Sequence, residues 1–481
     1  MTEHNGNSVP SLFERESRGG DNAERGFSFQ EQVVLAHIPM WLAYEGFSKI
    51  IREAMGDTEA QFFVPGYGTQ TELIEAKNHS LTPSEFWDEI ERFQGIDEGS
   101  PGEYRWFALV SSGISKDLRP LVNGLRRIRL PYDFYADGSA VKDNSFRDYV
   151  AVIKKLDRSE QDAQFLFEKV LIKPEWGLAQ DDGEALFRQA VAEYLPEYED
   201  VSQRIIHNMY LDVGALVKKH RGESITRLEL ENALSQSIPI QQLPALRPVH
   251  IHTMSNEEDR PEPYSLRFKW QEFFGGSQRQ FPSPDQWNQV LVNDLIETRR
   301  WITHHRNTRH IYLTGSRRLP AAFAIGIVFS AVAGFSITMN HRGQLWQTDA
   351  EIPVNTPVYP LAIERKDGII SDLVVAIGIV RDVIPEVETA VNTLQLEQAH
   401  RIYIKGTYPI RSPAEARIAV RDMKDILSKA LSETNCQQIH LFYAGPSHLA
   451  MLLGHRLNAT APIQCYQRVS PNEYVQTCRL L

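Results

Sequence analysis

The chain has 481 residues, and 51 Lys+Arg against 62 Asp+Glu leave a formal net charge of −11. With 42% hydrophobic and 23% charged residues the composition is globular. It excludes wholesale disorder and collagen, and the length predicts two to four domains at about 100–200 residues each. A chain this acidic does not coat nucleic acid through bulk charge, so nucleic-acid chemistry would need a local basic groove or a metal.

The first residues have no basic start and no apolar run, which predicts no secretion signal, and 1–25 reads as a polar, frayed stretch. From Phe29 to about Met55, apolar residues recur at spacings of three and four (Val33, Val34, Ile38, Trp41, Leu42, Phe47, Ile50, Ile51), which predicts one helix. Ala60–Val64 and Glu72–Asn78 read as strands joined by the turn formers Pro65-Gly66-Tyr67-Gly68. Thr82-Pro83-Ser84-Glu85 is a helix start: Thr82 as N-cap, Pro83 at the first helical position and Glu85 where a capping box needs it. Arg105–Ser111 reads as a further strand. Residues 1–145 thus form one α/β unit, and 146–245 reads as almost purely helical, ending in a proline-bearing linker at Ile238–Arg247.

After about 246 strands alternate with helices: His310–Thr314, the apolar run from Ala322 to Phe335, Leu373–Val380, Arg401–Lys405, Ser412–Ser432, His440–Ala444 and Ser447–Leu457. Apolar strands followed by Gly or Pro and a helix predict parallel sheets covered on both faces. Tyr312–Ser316 and Phe442–Ser447 repeat the strand–glycine–helix outline, which suggests two Rossmann-like halves. The stretch Ala321–Phe335 is shorter than the roughly 20 residues that span a bilayer and carries Ser330, so it reads as a buried helix. Cys436, Cys465 and Cys478 show no CxxC spacing and predict buried or idle thiols in a reducing cytoplasm.

Chemistry in the first domain centres on Glu75-Ala76-Lys77 at a strand end. Alternation puts Glu75 and Lys77 on one face. A carboxylate beside a lysine can hold a divalent metal and orient water, the two needs of phosphodiester hydrolysis. A second carboxylate must arrive from nearby, and Asp57, Glu59 and Glu45 are the candidates. The rival reading of Glu-x-Lys is a surface ion pair on an edge strand. There is no GxxxxGK[ST] loop and no GxSxG elbow. His304, His305, His310, His448 and His455 lack metal-ligand spacing and read as surface or capping residues.

Gly26-Phe27-Ser28-Phe29-Gln30-Glu31-Gln32-Val33 at the first helix, Glu75-Ala76-Lys77, and Phe107-Ala108-Leu109-Val110-Ser111-Ser112-Gly113 together resemble the DUF4297-type nucleases of the PD-(D/E)xK, restriction-endonuclease-like superfamily. The resemblance implies Mg²⁺ (or Mn²⁺) held by Glu75 and an upstream acid, with Asp57 versus Glu59 left open. It makes Lys77 the residue that positions or activates water, and Gln30 a supporting residue.

Trp270, Phe273-Phe274, Arg279, Phe281-Pro282, Trp287, Ile311–Gly315, Ile439–Ala450, Leu453-Gly454, Cys465-Tyr466 and Tyr474 occur in the order of the SAVED domain. SAVED is the cyclic-oligonucleotide sensor of the anti-phage system CBASS. The resemblance covers 246–481 and implies two fused CARF-like halves. Gly315-Ser316-Arg317-Arg318 and Gly445-Pro446-Ser447 offer backbone N–H groups at helix starts. Arg317, Arg318 and Lys405 add positive charge, and Trp346 or Tyr408 offers a ring for a base; the competing reading of each is a loop charge or a core aromatic. The fused architecture implies a cytoplasmic, ligand-activated endonuclease. It would cut double-stranded DNA with low sequence specificity, take a cyclic trinucleotide, and self-associate from a monomeric resting form on binding it. The rival readings keep the sensor but make the first domain a non-catalytic scaffold or a degrader of RNA or NAD.

Overall fold

The computed structural model describes residues 15–132, 140–174, 182–379, 381–457 and 461–481. The chain divides into two compact units, one holding the residues up to Phe63 and Thr69–Ala245, the other Val64–Gly68 and Leu246–Leu481. No helix among the described residues is long and apolar enough to cross a membrane.

The first unit is built on one mixed sheet of β1 (Phe47–Arg52), β2 (Thr58–Val64), β3 (Gly68–Leu81), β4 (Tyr104–Ile114), β5 (Val170–Lys173) and β6 (Ser224–Thr226). Its strand order is β5-β4-β3-β2-β1-β6. β3, β4 and β5 run parallel, whereas β1 is antiparallel to β2 and β6. The helix Arg15–Ala43 packs Val33, Val34, Ile38 and Trp41 with Ile74, Ala76, Ala108 and Val110 in one core. The helix Pro83–Gly99 brings Phe86, Ile90 and Phe93 to Leu73, Phe107 and Leu109 in another. Period-two alternation along β3 therefore feeds two cores, Ile74 and Ala76 into one and Leu73 into the other.

The structure corrects three expectations. The first helix ends at Ala43, and Phe47–Arg52 is strand β1. The spacing of Phe47, Ile50 and Ile51 continues the helical period of Val33–Leu42, so periodicity alone does not separate them. The turn at Glu45-Gly46 and the β-branched Ile50-Ile51 decide it. Glu45 consequently sits in a turn, not on the helix. Of the stretch expected to fray, residues 1–14 lie outside the described residues, and the helix already runs from Arg15, so Gly26–Val33 is mid-helix. Residues 146–245 are not purely helical, since they supply β5 and β6 to the sheet. The expected start of the helix at 83 forms as a capping box: Thr82 Oγ1 accepts from Glu85 N–H at 3.3 Å and the Glu85 carboxylate accepts from Thr82 N–H at 2.9 Å.

The second unit carries two mixed sheets. β7 (Val249–Met254), β8 (Leu266–Lys269), β9 (His310–Gly315), β10 (Ser336–His341) and β11 (Gln344–Gln347) are ordered β11-β10-β9-β7-β8. β12 (Leu361–Lys366), β13 (Ile370–Gly378), β14 (Ala399–Gly406), β15 (Gln438–Ala444), β16 (Ile463–Ser470) and β17 (Glu473–Leu480) are ordered β12-β14-β13-β15-β16-β17. In each the central pairs are parallel; an antiparallel pair closes one edge of the first sheet and both edges of the second. Val380, placed at the end of a strand by sequence, lies outside the described residues.

The helices Leu319–Val328 and Ser447–Arg456 meet at unusually short range. A Cβ built on Gly326 would lie 2.2 Å from Met451 O, and one on Gly454 would lie 2.4 Å from Phe323 O. Glycine is required at both positions for the backbones to approach this closely. The helix Leu319–Val328 is buried from Pro320 to Val328, which explains its apolar sequence without a bilayer. All three cysteines are buried.

Candidate active site and ligand cavity

Glu75 and Lys77 project from β3 toward the helix Pro83–Gly99, which completes a ring of charges. Lys77 Nζ lies 2.8 Å from Glu75 Oε1 and 2.7 Å from Glu89 Oε1. Arg92 closes the ring at 2.6 Å from Glu75 Oε2 and 2.8 Å from Glu89 Oε2, and also donates to the Met55 carbonyl at 2.9 Å. Glu89 and Arg92 are three residues apart and so share a helix face. Burial lowers the proton affinity of Lys77, but the hydrogen bonds and charges of Glu75 and Glu89 outweigh it and hold the ammonium above its usual range. Burial works the other way on Glu89, where Lys77 and Arg92 prevail and keep the carboxyl below its usual range.

Asp57 stands beside this ring. Its Oδ1 accepts from Gln30 Nε2 at 2.6 Å and its Oδ2 from the Ala76 N–H at 2.7 Å. Burial and then the facing Glu75 carboxylate push the Asp57 carboxyl up to about 6, against the pull of the Ala76 N–H, Lys77 and Arg92. Of the acids proposed from sequence, Asp57 is the one the structure brings to Glu75. Glu59 turns elsewhere: it accepts from the Met55 N–H at 3.1 Å and its charge is felt by Tyr104. Glu45 is buried in the turn before β1.

The donors fit a hard divalent cation. Asp57 and Glu75 are oxygen ligands that repel one another, and Mg²⁺ characteristically takes one or two carboxylates, completing its shell with water and phosphate oxygens. Among the described residues no cluster of three or more His, Cys, Asp or Glu is arranged for a metal, so an all-protein cage is not what these residues offer. Glu89 and Arg92 were missed from the sequence. The available signal was a Glu-x-x-Arg pair on the polar face opposite Phe86, Ile90 and Phe93.

In the second unit a cavity of about 450 Å³ opens where the loop after β9, the ends of β13 and β15, and β16 converge. Arg317, Arg318, Arg381 and Arg468 line it together with Tyr443, Tyr466 and Gln467. Burial pulls Arg317 down to about 10; among the described residues it donates a long hydrogen bond of 3.5 Å to the Thr314 carbonyl, and its Nε is buried without a partner there. Arg318 donates to the carbonyls of Gln280 (2.9 Å) and Phe274 (3.2 Å) and lies 4.1 Å over the Phe274 ring. Among the described residues no carboxylate pairs with either. Arg381 and Arg468 share Glu386, at 2.7 and 3.1 Å. Two guanidinium groups without counter-charge in a concave wall call for an anion.

From the sequence-predicted set the cavity wall takes Arg317, Arg318 and Gly445. Gly315 adopts φ +82° and a Cβ there would lie 2.1 Å from the Thr253 carbonyl, so it serves the close approach of β9 to β7. Ser316 Oγ donates to Asp259 and accepts from Ser255 N–H and Asn256 Nδ2, which ties down the loop after β7. Pro446 caps the helix begun by Ser447, and its carbonyl accepts from the Tyr443 hydroxyl at 3.0 Å. Three expected contacts fall outside the wall. Trp346 is a core ring, 3% exposed and 4.1 Å from His448. Lys405 is an exposed partner of Asp382 at 2.7 Å, and Tyr408 packs against Tyr359 and under Arg411. Arg381 and Arg468 went unrecognised because each follows or lies in a strand with no motif around it.

Residues 295–480 match the family model described as the SMODS-associated and fused to various effectors sensor domain, SAVED. Along 475 residues, 98% of this chain and 99% of the relative, the sequence is 28% identical to CD-NTase-associated protein 4 of Acinetobacter sp. (strain ATCC 27244 / 9458). The chain is Cap4-like and ends in a SAVED domain. Two solved structures share its fold at TM-score 0.82: the Acinetobacter baumannii Cap4 SAVED/CARF-domain containing receptor with 2′3′3′-cAAA and the same receptor with 3′3′3′-cAAA. They are 24% and 25% identical to it and cover 95% and 94% of this chain, and 99% and 98% of their own. The cavity of Arg317 and Arg468 lies within the residues matched to SAVED.

Proposed function

We propose that the chain is a CBASS effector: a metal-dependent double-stranded DNA endonuclease of low sequence specificity, switched on when its SAVED domain binds a cyclic oligonucleotide. The observation that carries the reading is the convergence of Asp57, Glu75 and Lys77, with Gln30 behind Asp57, on a sheet of restriction-endonuclease-like order. The full-length likeness to receptors solved with cyclic trinucleotides supports a ligand of that class, and the two sheets of the second unit support two fused Rossmann-like halves. In this reading 1–145 is the nuclease core, 146–245 completes its sheet and leads to a linker, and 246–481 is the sensor.

Asp57 and Glu75 would hold Mg²⁺, which when bound supplies Lewis-acid polarisation of the phosphate and acidifies water. Gln30 and the Ala76 N–H orient Asp57. Lys77, kept protonated by Glu75 and Glu89, acts as a fixed cation that orients water and faces the charge developing on the phosphoryl oxygens. Its raised proton affinity argues against a role as general base. The four unpaired or shared guanidinium groups of the SAVED cavity receive the ring phosphates, and Tyr443 and Tyr466 supply aromatic walls. Self-association on ligand binding would gather cleavage sites on one duplex and raise the affinity of an acidic chain for DNA by multivalency.

The test is to incubate the protein with 3′3′3′-cAAA and, in parallel, plasmid, RNA and NAD, with and without EDTA. Plasmid should be degraded only with ligand and metal, and Lys77→Ala should lose cleavage while keeping ligand binding. Plasmid surviving while RNA or NAD disappears would reject the DNA assignment. Intact substrates throughout, across a panel of cyclic di-, tri- and tetranucleotides, would favour the scaffold reading.

A further inference from the structure

A second cavity of about 330 Å³ lies in the same unit and shares no lining residue with the first. The first meets Gly445 and Ala450 near the start of the helix Ser447–Arg456, and this one meets Leu452, His455 and Arg456 at its end. Its opposite wall is the helix Pro413–Thr434, which presents Arg417, Arg421 and Lys424. Those positions are spaced by four and three and fall on one helix face.

The wall is cationic in an acidic chain. With Arg456 it holds four cations, against Asp425 in the lining and Asp349, whose charge reaches Arg417 and His455. Arg417 donates to the Glu351 carbonyl at 2.7 Å, yet its Nε is buried without a partner. Arg421 pairs with its neighbour Asp422 at 2.9 Å. Such a cluster suits an anion that carries more than one charge.

His455 adds a second requirement. It is 2% exposed, and its Nε2 lies 3.0 Å from the Phe335 carbonyl, which makes Nε2 the protonated nitrogen. Nδ1 is then a buried lone pair without a partner, and burial favours the neutral ring. A lone pair needs an O–H or N–H donor, which a fully ionised anion does not bring. Ile352, Val420 and Leu452 complete the cavity with apolar surface.

We propose that this cavity is a second ligand site, for a phosphate monoester borne on a hydroxyl- or amino-bearing body of mononucleotide size. The phosphate sits among Arg417, Arg421, Lys424 and Arg456, a donor on the body meets His455 Nδ1, and the apolar residues cover the rest. The site is independent of the nuclease reading and of the first cavity.

The test is calorimetric titration of the full chain with adenosine 5′-monophosphate and, separately, inorganic phosphate. Adenosine 5′-monophosphate should still bind in Arg468→Ala, which alters only the first cavity. It should weaken about tenfold or more in Arg421→Ala/Lys424→Ala; Arg421 is exposed and Lys424 half-buried at the cavity mouth, so their loss should leave the melting temperature unchanged. Inorganic phosphate should bind about tenfold more weakly and compete. Loss of binding in Arg468→Ala, unchanged binding in the double variant, or no binding at millimolar concentration would each overturn the site. Equal affinity for the two probes would overturn the assignment of the organic body.

Discussion

Arg92→Ala tests whether the charge ring conceals a cation site. Arg92 makes charged hydrogen bonds to Glu75 and Glu89 and a third bond to the Met55 carbonyl. With its side chain 36% exposed, solvent screens these bonds, so the loss is about 2 kcal/mol rather than the 3–5 of a fully buried pair. For a unit of this size each kcal/mol moves the melting temperature by roughly 2–4 °C, which predicts a fall of about 4–8 °C in EDTA. The same deletion leaves Glu75 and Glu89 sharing only Lys77, with Asp57 alongside, and Mg²⁺ should then bind more tightly than in the parent. A tenfold gain is about 1.4 kcal/mol at saturation, or roughly 3–6 °C of additional stabilisation. Scanning calorimetry of the full chain in EDTA and in millimolar MgCl₂, with NaCl matched for ionic strength, reads both effects without any nuclease assay. An Mg²⁺ response no larger in Arg92→Ala than in the parent would refute the claim that Asp57 and Glu75 form a cation site.

Three other outcomes are expected. Arg317→Ala should weaken 3′3′3′-cAAA binding about tenfold or more, because no carboxylate among the described residues competes for that guanidinium; calorimetric titration showing unchanged affinity would remove it from the ligand wall. Gly326→Ala should lower the melting temperature, since a Cβ 2.2 Å from Met451 O forces two backbones apart at about 1–3 kcal/mol, more than the roughly 1 kcal/mol that alanine contributes to helix propensity; an equal or higher melting temperature would contradict the close approach. His448, held near pKa 4 by burial and by its neighbours His341, Arg317 and Arg342, binds its proton more readily in the unfolded chain, where the value is about 6.5. Its contribution is therefore complete above about pH 6.5 and declines by at most about 1.4 kcal/mol per unit as pH falls toward 4; His448→Gln should flatten the pH dependence of the melting temperature, and an unaltered slope would refute this.

Local signals that depend on a few adjacent residues were legible. The capping box at Thr82–Glu85, the shared face of Glu75 and Lys77, and the buried helix after β9 follow from side-chain chemistry within one turn or one pleat. Signals that depend on long-range pairing were not. β1 carries the same apolar spacing as the helix before it, and its pairing with β2 and β6 adds to the local turn and β-branched pair what the spacing alone does not show. β6 has three residues and no pattern of its own. Asp57 and Glu59 are equivalent on paper, and the contact of Asp57 with the Ala76 N–H separates them. Trp346 shows the converse error: a tryptophan in a short edge strand reads as a base platform until the packing of His341 and His448 against its ring is known.

The two sites differ in electrical state, and the difference bears on gating. In the charge ring Lys77 and Arg92 are matched by Glu75 and Glu89, so the ring is neutral as a set, and Asp57 is held by burial near a pKa of about 6. A phosphate approaching it meets no unspent cation and must first draw Lys77 or Arg92 away from a carboxylate. The SAVED cavity is the reverse, since Arg317 and Arg318 have no carboxylate partner among the described residues and already bear the desolvation cost of standing there. An anionic ring therefore gains attraction on arrival without breaking an ion pair to those residues. Under the proposed function, messenger binding is favoured in the isolated chain, while DNA binding would wait until copies assemble or a divalent cation enters between Asp57 and Glu75. In that reading the resting chain is quiet because the charges of its candidate site are already satisfied by one another.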